Sequence, residues 1–365
     1  MVDPRIDRRK QHLLVHIIVI AILAVLCGAD NWVDVELFGR AKQKWLDELL
    51  SLPNGIPSHD TFGRVFARLD ATQFEACFRA WVQAATVALP AQVIAIDGKT
   101  LRGSFDAFLG KTAIQVVSAW ATASHLVLGQ VKVDDKSNEI TAIPELLQLL
   151  ETKGCIVTID AMGCQKAIAQ AIVDKDCDYV LAVKGNQEHL HQEVIELFAC
   201  AAEDDFRDVQ HDYCKVTSKG HGRLEIRRCW TIFDPDFLRY IRDRDRWPNL
   251  SSLALVEYER RQGERVTIER RYYISSLPGV AGQILTVVRS HWGVENSLHW
   301  VLDVAFAEDH SRIRKDNGPE NFSLLRRIAL NLVQQDKTTK AGVKGKRLKA
   351  ALDEQYLLKL LLGLN

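Results

Sequence analysis

Two apolar stretches that each end in aspartate, VIAID at 93–97 and CIVTID at 155–160, indicate the fold of this chain. Short apolar runs rich in β-branched residues and followed by glycine-containing turns are typical of buried strands. The turns here are GKT at 98–100 and AMG at 161–163. Each predicted strand therefore offers one carboxylate at its C-terminal end, Asp97 in the first and Asp160 in the second.

A third acidic residue lies in the segment HWGVENSLHW at 291–300. Its apolar residues recur at three- and four-residue spacing, which predicts a helix that carries Glu295. Carboxylates on rigid elements suit two Mg²⁺ ions held about 3.5 to 4 Å apart for phosphoryl transfer. Asp97, Asp160 and Glu295 are therefore the candidate catalytic and metal-binding residues, with two Mg²⁺ ions as cofactors and Mn²⁺ as a substitute.

Five segments of the chain resemble a known family. They are LPNGIPSHDTFGRVFARLD at 52–70, IDGKTLRGS at 96–104, IDAMGCQ at 159–165, LAVKGNQ at 181–187 and HWGVENSLHWVLDVAFAEDHSRIR at 291–314. Together they resemble DDE transposases of bacterial insertion sequences, and in particular the group of H-repeat-associated proteins. The resemblance covers nearly the whole chain. It implies a ribonuclease H-like catalytic fold, Mg²⁺-dependent DNA cleavage and strand transfer, and Asp97, Asp160 and Glu295 as the acidic triad.

The residue pattern predicts an α/β protein with a ribonuclease H-like core built on a mixed sheet, a β-rich insertion and an N-terminal helical domain. We expect the helical domain at 1–88, the first part of the core at 89–200, the insertion at 201–280, the core helix with Glu295 at 281–330 and a basic C-terminal tail at 331–365. The interval of 135 residues between Asp160 and Glu295 is far longer than one crossover needs, which favours the insertion.

Individual strands and helices follow from the same pattern. Core strands are predicted at 93–96, 114–121, 126–133, 155–159 and 179–183, and helices at 143–150, 165–173 and 188–198. The insertion is predicted to contain strands at 224–233, 252–260 and 265–274. The apolar run at 13–29 follows four basic residues and is nearly long enough for a membrane anchor. Its short length and two histidines favour a buried core helix instead.

The charge balance limits how the chain could hold nucleic acid. Lys and Arg number 47, Asp and Glu also number 47, and the formal net charge is zero. Affinity for double-stranded DNA must therefore come from local basic patches. The candidate DNA contacts are Lys99, Arg102, Lys184, His221, Arg223, Arg289, His291, Arg64, Arg68, Lys344, Lys346 and Arg347.

Most of these candidates have a plainer interpretation. Arg64 and Arg68 belong to a helix–turn–helix pattern that is equally typical of ordinary helical packing. Lys99 is either a phosphate contact or a turn lysine, and the GKT triplet lacks the upstream glycine of a P-loop because position 93 is Val. Arg223 and His221 are either a substrate-facing loop or a hairpin tip. The basic residues of 337–349 either contact the DNA backbone or are only solvated.

The third acidic motif also allows alternatives. His291, Glu295 and His299 recur every four residues, so a His-Glu-His zinc site on one helix face competes with the triad. Asp303, Glu308 and Asp309 could supply a carboxylate instead of Glu295, or form a solvated helix end with nearby arginines. Some related transposases have Arg four residues before the glutamate and Lys seven after it. Here these positions are His291 and Leu302, so we expect Arg289, His291 and Lys184 to hold the phosphate instead.

Partners and location follow from the resemblance and the composition. We expect transposon-end and target DNA as partners, a homodimer when DNA is bound, no membrane, and a cytoplasmic location near the nucleoid. Eight cysteines without a Cys-x-x-Cys pair fit a reduced protein. Two other functions stay open: a nuclease or resolvase of the same fold without strand transfer, and a DNA-binding protein that has lost catalysis.

Overall fold

The computed structural model describes residues 1–85, 92–106, 108, 110–134, 137–220 and 222–363. His221 lies outside the described residues. An N-terminal helical unit comes first: α1 (Leu14–Leu26), α2 (Trp32–Ala41), α3 (Gln43–Leu50), α4 (His59–Arg68) and α5 (Ala71–Ala85). The α/β part follows with β1 (Val93–Thr100), β2 (Gln115–Ala121), β3 (Leu126–Lys132), α6 (Glu139–Leu149), β4 (Ile156–Ile159), α7 (Lys166–Val173), β5 (Asp178–Val183) and α8 (Glu188–Glu203).

The second half of the chain returns to the same sheet and ends in helices. Its strands are β6 (His211–Gly220), β7 (Arg223–Ile232), β8 (Ser252–Gln262) and β9 (Arg265–Ser275), with the short α9 (Pro235–Leu238) between β7 and β8. The last helices are α10 (Ala281–Gly293), α11 (Trp300–Phe306), α12 (Gly318–Gln335), α13 (Val343–Leu352) and α14 (Glu354–Leu362). Strand β6 was not predicted from the sequence.

One nine-stranded mixed sheet organises the molecule, in the order β3-β2-β1-β4-β5-β9-β8-β7-β6. Strands β1, β2 and β3 form an antiparallel meander, while β4 and β5 run parallel to β1. This arrangement confirms the predicted ribonuclease H-like mixed sheet and helical N-terminus. The strands of the β-rich segment join the same sheet, because β9 pairs antiparallel with β5 from Tyr272 to Ser275.

The apolar run near the N-terminus forms part of the core, as predicted. Helix α1 has buried residues on most of its surface, among them Ile17, Ile20 and Leu23. It packs against α12 and α2. Burial of such side chains against other helices stabilises the fold by the hydrophobic effect. Within the described part of the chain, every helix is too short or too polar to span a bilayer.

Two of the C-terminal basic residues that were predicted to contact DNA lie inside the fold. Residues 343–362 form α13 and α14, which pack on α12 and α1. Arg347 is buried, donates to the Val25 carbonyl from Nη2 at 2.7 Å and lies over the Phe306 ring. Lys346 is buried as well and donates to the Val333 carbonyl at 3.3 Å. These two cations stabilise the fold and do not face DNA. Lys344 remains exposed.

We expect Arg347→Met to lower the free energy of unfolding by about 2 kcal/mol, because the buried Val25 carbonyl loses a charged donor. Urea denaturation followed by circular dichroism measures this change. The matched variant Lys344→Met removes an exposed cation from the same helix and should leave the urea midpoint unchanged. An unaltered midpoint for Arg347→Met would contradict a structural role for this arginine.

Candidate active site

The register between β1 and β4 places two carboxylates next to each other. Ile96 pairs with Ile159 in this parallel ladder, so the next residue on each strand is an aspartate. Asp160 directly follows the last residue of β4, as predicted. Asp97 does not end β1, because the ladder with β2 continues from Asp97 opposite Ser118 to Thr100 opposite Gln115. The prediction that Asp97 terminates its strand is therefore wrong, although the residue still lies beside Asp160.

Glu295 lies where the helix changes its winding. Helix α10 ends at Gly293, Val294–His299 form a π-helical segment, and α11 follows from Trp300. Single π-turns inside helices occur frequently at functional sites. The same segment contacts β1 and brings Nδ1 of His299 to 3.5 Å from Oδ2 of Asp97. A helix over this motif was predicted, but the π-turn was not.

A cavity of about 370 Å³ unites the three acidic residues. Asp97, Asp160 and Glu295 all line it, and so do Lys184 and His291. Strand β9, the neighbour of β5 in the sheet, contributes Glu269, Arg270, Arg271 and Tyr272 to the lining. The strands that follow position 201 therefore complete the wall of this cavity.

The charges around Asp97 perturb its titration. Burial raises the pKa of Asp97 to about 7, and the nearby Asp160, Glu139 and Glu295 carboxylates add to this shift. The amide N–H of Gly98 donates to Asp97 at 2.9 Å and opposes it. A buried carboxyl group surrounded by like charges takes up a proton unless a cation binds. The cavity therefore has an excess of acidic groups at its floor.

The two histidines of the motif are neutral at physiological pH. Burial lowers the pKa of His291, although Asp160 opposes this effect. Burial, Arg327 and Lys99 lower the pKa of His299 to about 4. The close approach of His299 to Asp97 is therefore not an ion pair. His291 offers the cavity a hydrogen-bonding imidazole and not the cation expected from the sequence.

Sequence reasoning missed Glu139 as a neighbour of the site. It begins α6 and accepts a hydrogen bond from Gln115 Nε2 at 3.0 Å. Its carboxylate packs so closely on Gly98 that a Cβ at position 98 would overlap it. Gly98 is therefore explained by close approach and not by a nucleotide loop. Asn138 caps this helix and signals its start, but no sequence pattern connects Glu139 with Asp97.

Lys99 forms an ion-pair network below the site. Its amine contacts Asp303 on α11 and lies 3.8 Å from both Glu308 and Asp309. Glu308 is fully buried and also pairs with Arg327 at 2.9 Å. The burial of Glu308 would raise its pKa, but Arg327, Arg326 and Lys99 outweigh burial and lower it. The amine of Lys99 is therefore occupied by carboxylates, which corrects its prediction as a DNA contact.

This network also explains the other acidic residues near Glu295. Asp303, Glu308 and Asp309 were alternatives for the third ligand or a solvated helix end. Asp303 instead links α11 to β1 through Lys99, while Glu308 is buried in the core. The pairing of Lys99 with Asp303 therefore fixes the helix of Glu295 against the strand of Asp97.

The remaining predicted DNA contacts lie at separate places. Arg289 lines a second cavity, of about 520 Å³, which shares Arg271 and Trp292 with the first. The Arg102 side chain is 81% exposed, 3.6 Å from Asp309. Arg223 begins β7 and pairs with Glu225 at 2.7 Å. Arg64 and Arg68 are exposed on α4, and their role stays a prediction.

The donor set fits a divalent cation by its chemistry. Asp97, Asp160 and Glu295 supply only carboxylate oxygens, which are the ligands that Mg²⁺ and Mn²⁺ prefer. Burial and the neighbouring carboxylates raise the pKa of Asp97, so a bound cation would stabilise its charged form. In the described part of the chain, no three His, Cys, Asp or Glu side chains already converge into a complete ligand set. The carboxylates would therefore have to close around an ion, and the predicted zinc alternative has no such set either.

We expect Lys99→Met to lower the free energy of unfolding by about 3 kcal/mol, since buried Glu308 and partly buried Asp303 lose a cation. Urea denaturation provides the measurement. Arg102→Met is the matched control, because Arg102 approaches the same acidic cluster from solvent and should change stability by less than about 0.5 kcal/mol. Equal effects of the two variants would contradict the network.

Comparisons with known proteins show the family of the chain. Residues 88–332 match the family described as "Transposase DDE domain", and residues 1–82 match the domain described as "DDE_Tnp_1-associated". The "H repeat-associated putative transposase YhhI" of Escherichia coli (strain K12) is 42% identical over 99% of this chain and 95% of its own length. The "Putative transposase YncI" of Escherichia coli O157:H7 is 43% identical over 97% of this chain and 90% of its own length.

Among solved structures, the piggyBac transposase synaptic complex with hairpin DNA is similar with a TM-score of 0.43 and 13% identity. The match covers 97% of this chain and 76% of that one. The family model spans most of the chain, and the relatives match it over nearly its full length. The chain therefore belongs to the DDE transposase family, in the group of the H-repeat-associated proteins.

Proposed function

We propose that this chain cleaves DNA at the ends of an insertion sequence and joins the freed 3′ ends to target DNA. The observation that carries the proposal is the pairing of Ile96 with Ile159, which sets Asp97 beside Asp160 in a cavity also lined by Glu295. Family membership supports transposition in general.

Asp97, Asp160 and Glu295 would hold two Mg²⁺ ions, with Mn²⁺ as a substitute. Bound ions would supply an activated water or 3′-hydroxyl and stabilise the leaving 3′ oxygen of an in-line displacement. The Asp160 and Glu295 carboxylates both act on the pKa of Asp97, so Asp97 would be the ligand that lies near both of the others. No covalent protein intermediate is required, since all three side chains act as ligands.

Cations on the cavity wall would orient the DNA phosphates. Lys184 follows β5, and Arg270 and Arg271 lie on the adjacent β9, so this wall of the cavity carries positive charge. The Arg271 guanidinium stacks on the Trp292 ring at 4.2 Å and is thereby held in place. These residues take the role expected of cations at positions 291 and 302. Beyond the cavity, Arg289, Arg102 and Arg223 would contact the backbone of duplex DNA, with a homodimer bringing two ends together.

We expect Asp97→Asn, Asp160→Asn and Glu295→Gln each to reduce cleavage by at least a thousandfold while specific DNA binding stays within about threefold. Labelled duplexes that carry the sequences flanking the coding region measure cleavage and joining on gels, and mobility shifts measure binding. Glu196→Gln removes an exposed carboxylate on α8 and serves as the matched control. Cleavage without joining by the native protein would identify a nuclease instead, and full cleavage by Glu295→Gln would exclude Glu295 as a ligand.

We expect Mn²⁺ affinity to fall about tenfold for each pH unit below 7, because burial and neighbouring carboxylates raise the pKa of Asp97 to about 7 and the ion competes with its proton. Above pH 7 the affinity should level off. Electron paramagnetic resonance of free Mn²⁺ between pH 5.5 and 8.5 measures this. A flat profile across pH 7 would show that Asp97 does not release a proton when the ion binds.

A further inference from the structure

The segment LAVKGNQ at 181–187 contains two side-chain amides, Asn186 and Gln187, directly after Lys184 and Gly185. Strands β4 and β5 are parallel neighbours with Ile159 opposite Leu181. Their C-terminal ends therefore lie at the same edge of the sheet, and the turns that follow them meet. The turn after β4 carries Asp160, while the turn after β5 carries Asn186 and Gln187.

Asp160 is itself part of a tight turn. Its Oδ1 accepts from the backbone N–H of Met162 at 3.0 Å and of Gly163 at 3.4 Å. The backbone of Gly163 packs against Ile159 so closely that a Cβ there would overlap that side chain. One carboxylate oxygen is thus used to close the turn. The direction in which the other oxygen faces the cavity depends on where the turn lies.

Two side-chain amides from the loop after β5, those of Asn186 and Gln187, donate hydrogen bonds to this turn. Nδ2 of Asn186 donates to the Ala161 carbonyl at 2.6 Å. Nε2 of Gln187 donates to the Cys164 carbonyl at 3.0 Å and lies 3.2 Å from Oε1 of Gln165. Ala161 and Cys164 are both buried, so each accepting carbonyl belongs to the packed part of the turn. The turn is therefore held in place by the packing of Gly163 on Ile159 and by the two side-chain amides of the neighbouring loop.

We infer that Asn186 and Gln187 are positioning residues, which set the Asp160 carboxylate for ion binding by fixing the turn that follows β4. They touch neither the reacting atoms nor the ion. Misplacement of a catalytic group by about 1 Å can cost a hundredfold in rate, and loss of partners that orient a ligand typically costs ten- to a hundredfold in metal affinity. The inference rests on the proposed function, because it assumes that Asp160 is a ligand.

Binding of Mn²⁺ at 20 °C, followed by electron paramagnetic resonance, tests the inference without measuring catalysis. Asn186→Ala and Gln187→Ala remove one donor each, and both should weaken Mn²⁺ binding at least tenfold. Asn186→Asp is the sharper variant. A carboxylate in place of the amide repels the Ala161 carbonyl and disturbs the turn, so Mn²⁺ affinity should fall. If the loop only tuned the local charge, the added negative charge would increase Mn²⁺ affinity.

Gln192→Ala and Gln192→Glu are the matched controls, because Gln192 is an exposed amide on α8 whose partner is Glu196. Both should bind Mn²⁺ like the native chain. Thermal unfolding of each variant shows whether it is folded at 20 °C, and if either Asn186 variant is not, Gln187→Ala provides the decision. In cleavage assays, the Mg²⁺ concentration at half-maximal rate should rise for the positioning variants, and saturating Mg²⁺ should restore part of the rate.

Mn²⁺ binding distinguishes a failure of the proposed function from a failure of the positioning role of Asn186 and Gln187. If the native chain binds no Mn²⁺ through Asp160, the proposed function fails and the inference with it. If the native chain binds Mn²⁺ and Asp160→Asn abolishes that binding, the proposed function stands. Folded Asn186→Ala and Gln187→Ala proteins that then bind Mn²⁺ within twofold of the native chain would overturn the inference alone, leaving both amides as ordinary loop contacts.

Discussion

The parallel pairing of β1 with β4 is the constraint on which the candidate site depends. Because side chains alternate along a strand, a shift of one residue in this register would move Asp97 and Asp160 apart and turn one of them away. The antiparallel ladder between β1 and β2 holds β1 straight beyond the end of β4. Asp97 is thereby held within a rigid strand, while Asp160 lies on a turn that needs further support.

The chain compensates its charges locally. Asp97 and Lys99 are two residues apart on β1 and so face the same side of the strand, towards the helix of Glu295. Lys99 is neutralised by Asp303, Glu308 and Asp309, whereas Asp97 lies among carboxylates and, among the described residues, pairs with no Lys or Arg. The same face of β1 thus carries two kinds of charge. Lys99 belongs to an ion-pair network, whereas Asp97 lies next to Asp160 in an acidic group. This separation favours a cation in the cavity and not in the network.

The sequence predicted most of the sheet because its strands are short apolar runs that periodicity detects. Residues whose position depends on packing between distant segments escaped it. Glu139 is near Asp97 only because Gly98 leaves room for its carboxylate. In the sequence, Lys346 and Arg347 resemble a solvated basic run. Inside the fold, they donate hydrogen bonds to the carbonyls of Val333 and Val25. Strand β1 continues beyond Asp97 because it pairs with β2. The local sequence of β1 does not reveal this pairing.

The buried cations change how a chain of zero net charge would hold DNA. Internal contacts engage three of the cations, Lys99, Lys346 and Arg347. Fewer cations can therefore attract phosphate than the composition suggests. Those near the acidic cavity lie on β9 and after β5, within one wall of the sheet. Phosphate contacts made there would lie close to the carboxylates. They would act at short range, because dissolved salt screens charges beyond roughly 10 Å. DNA affinity and placement of the scissile phosphate would then depend on the same arginines, and the strands between Asp160 and Glu295 would be part of the catalytic unit.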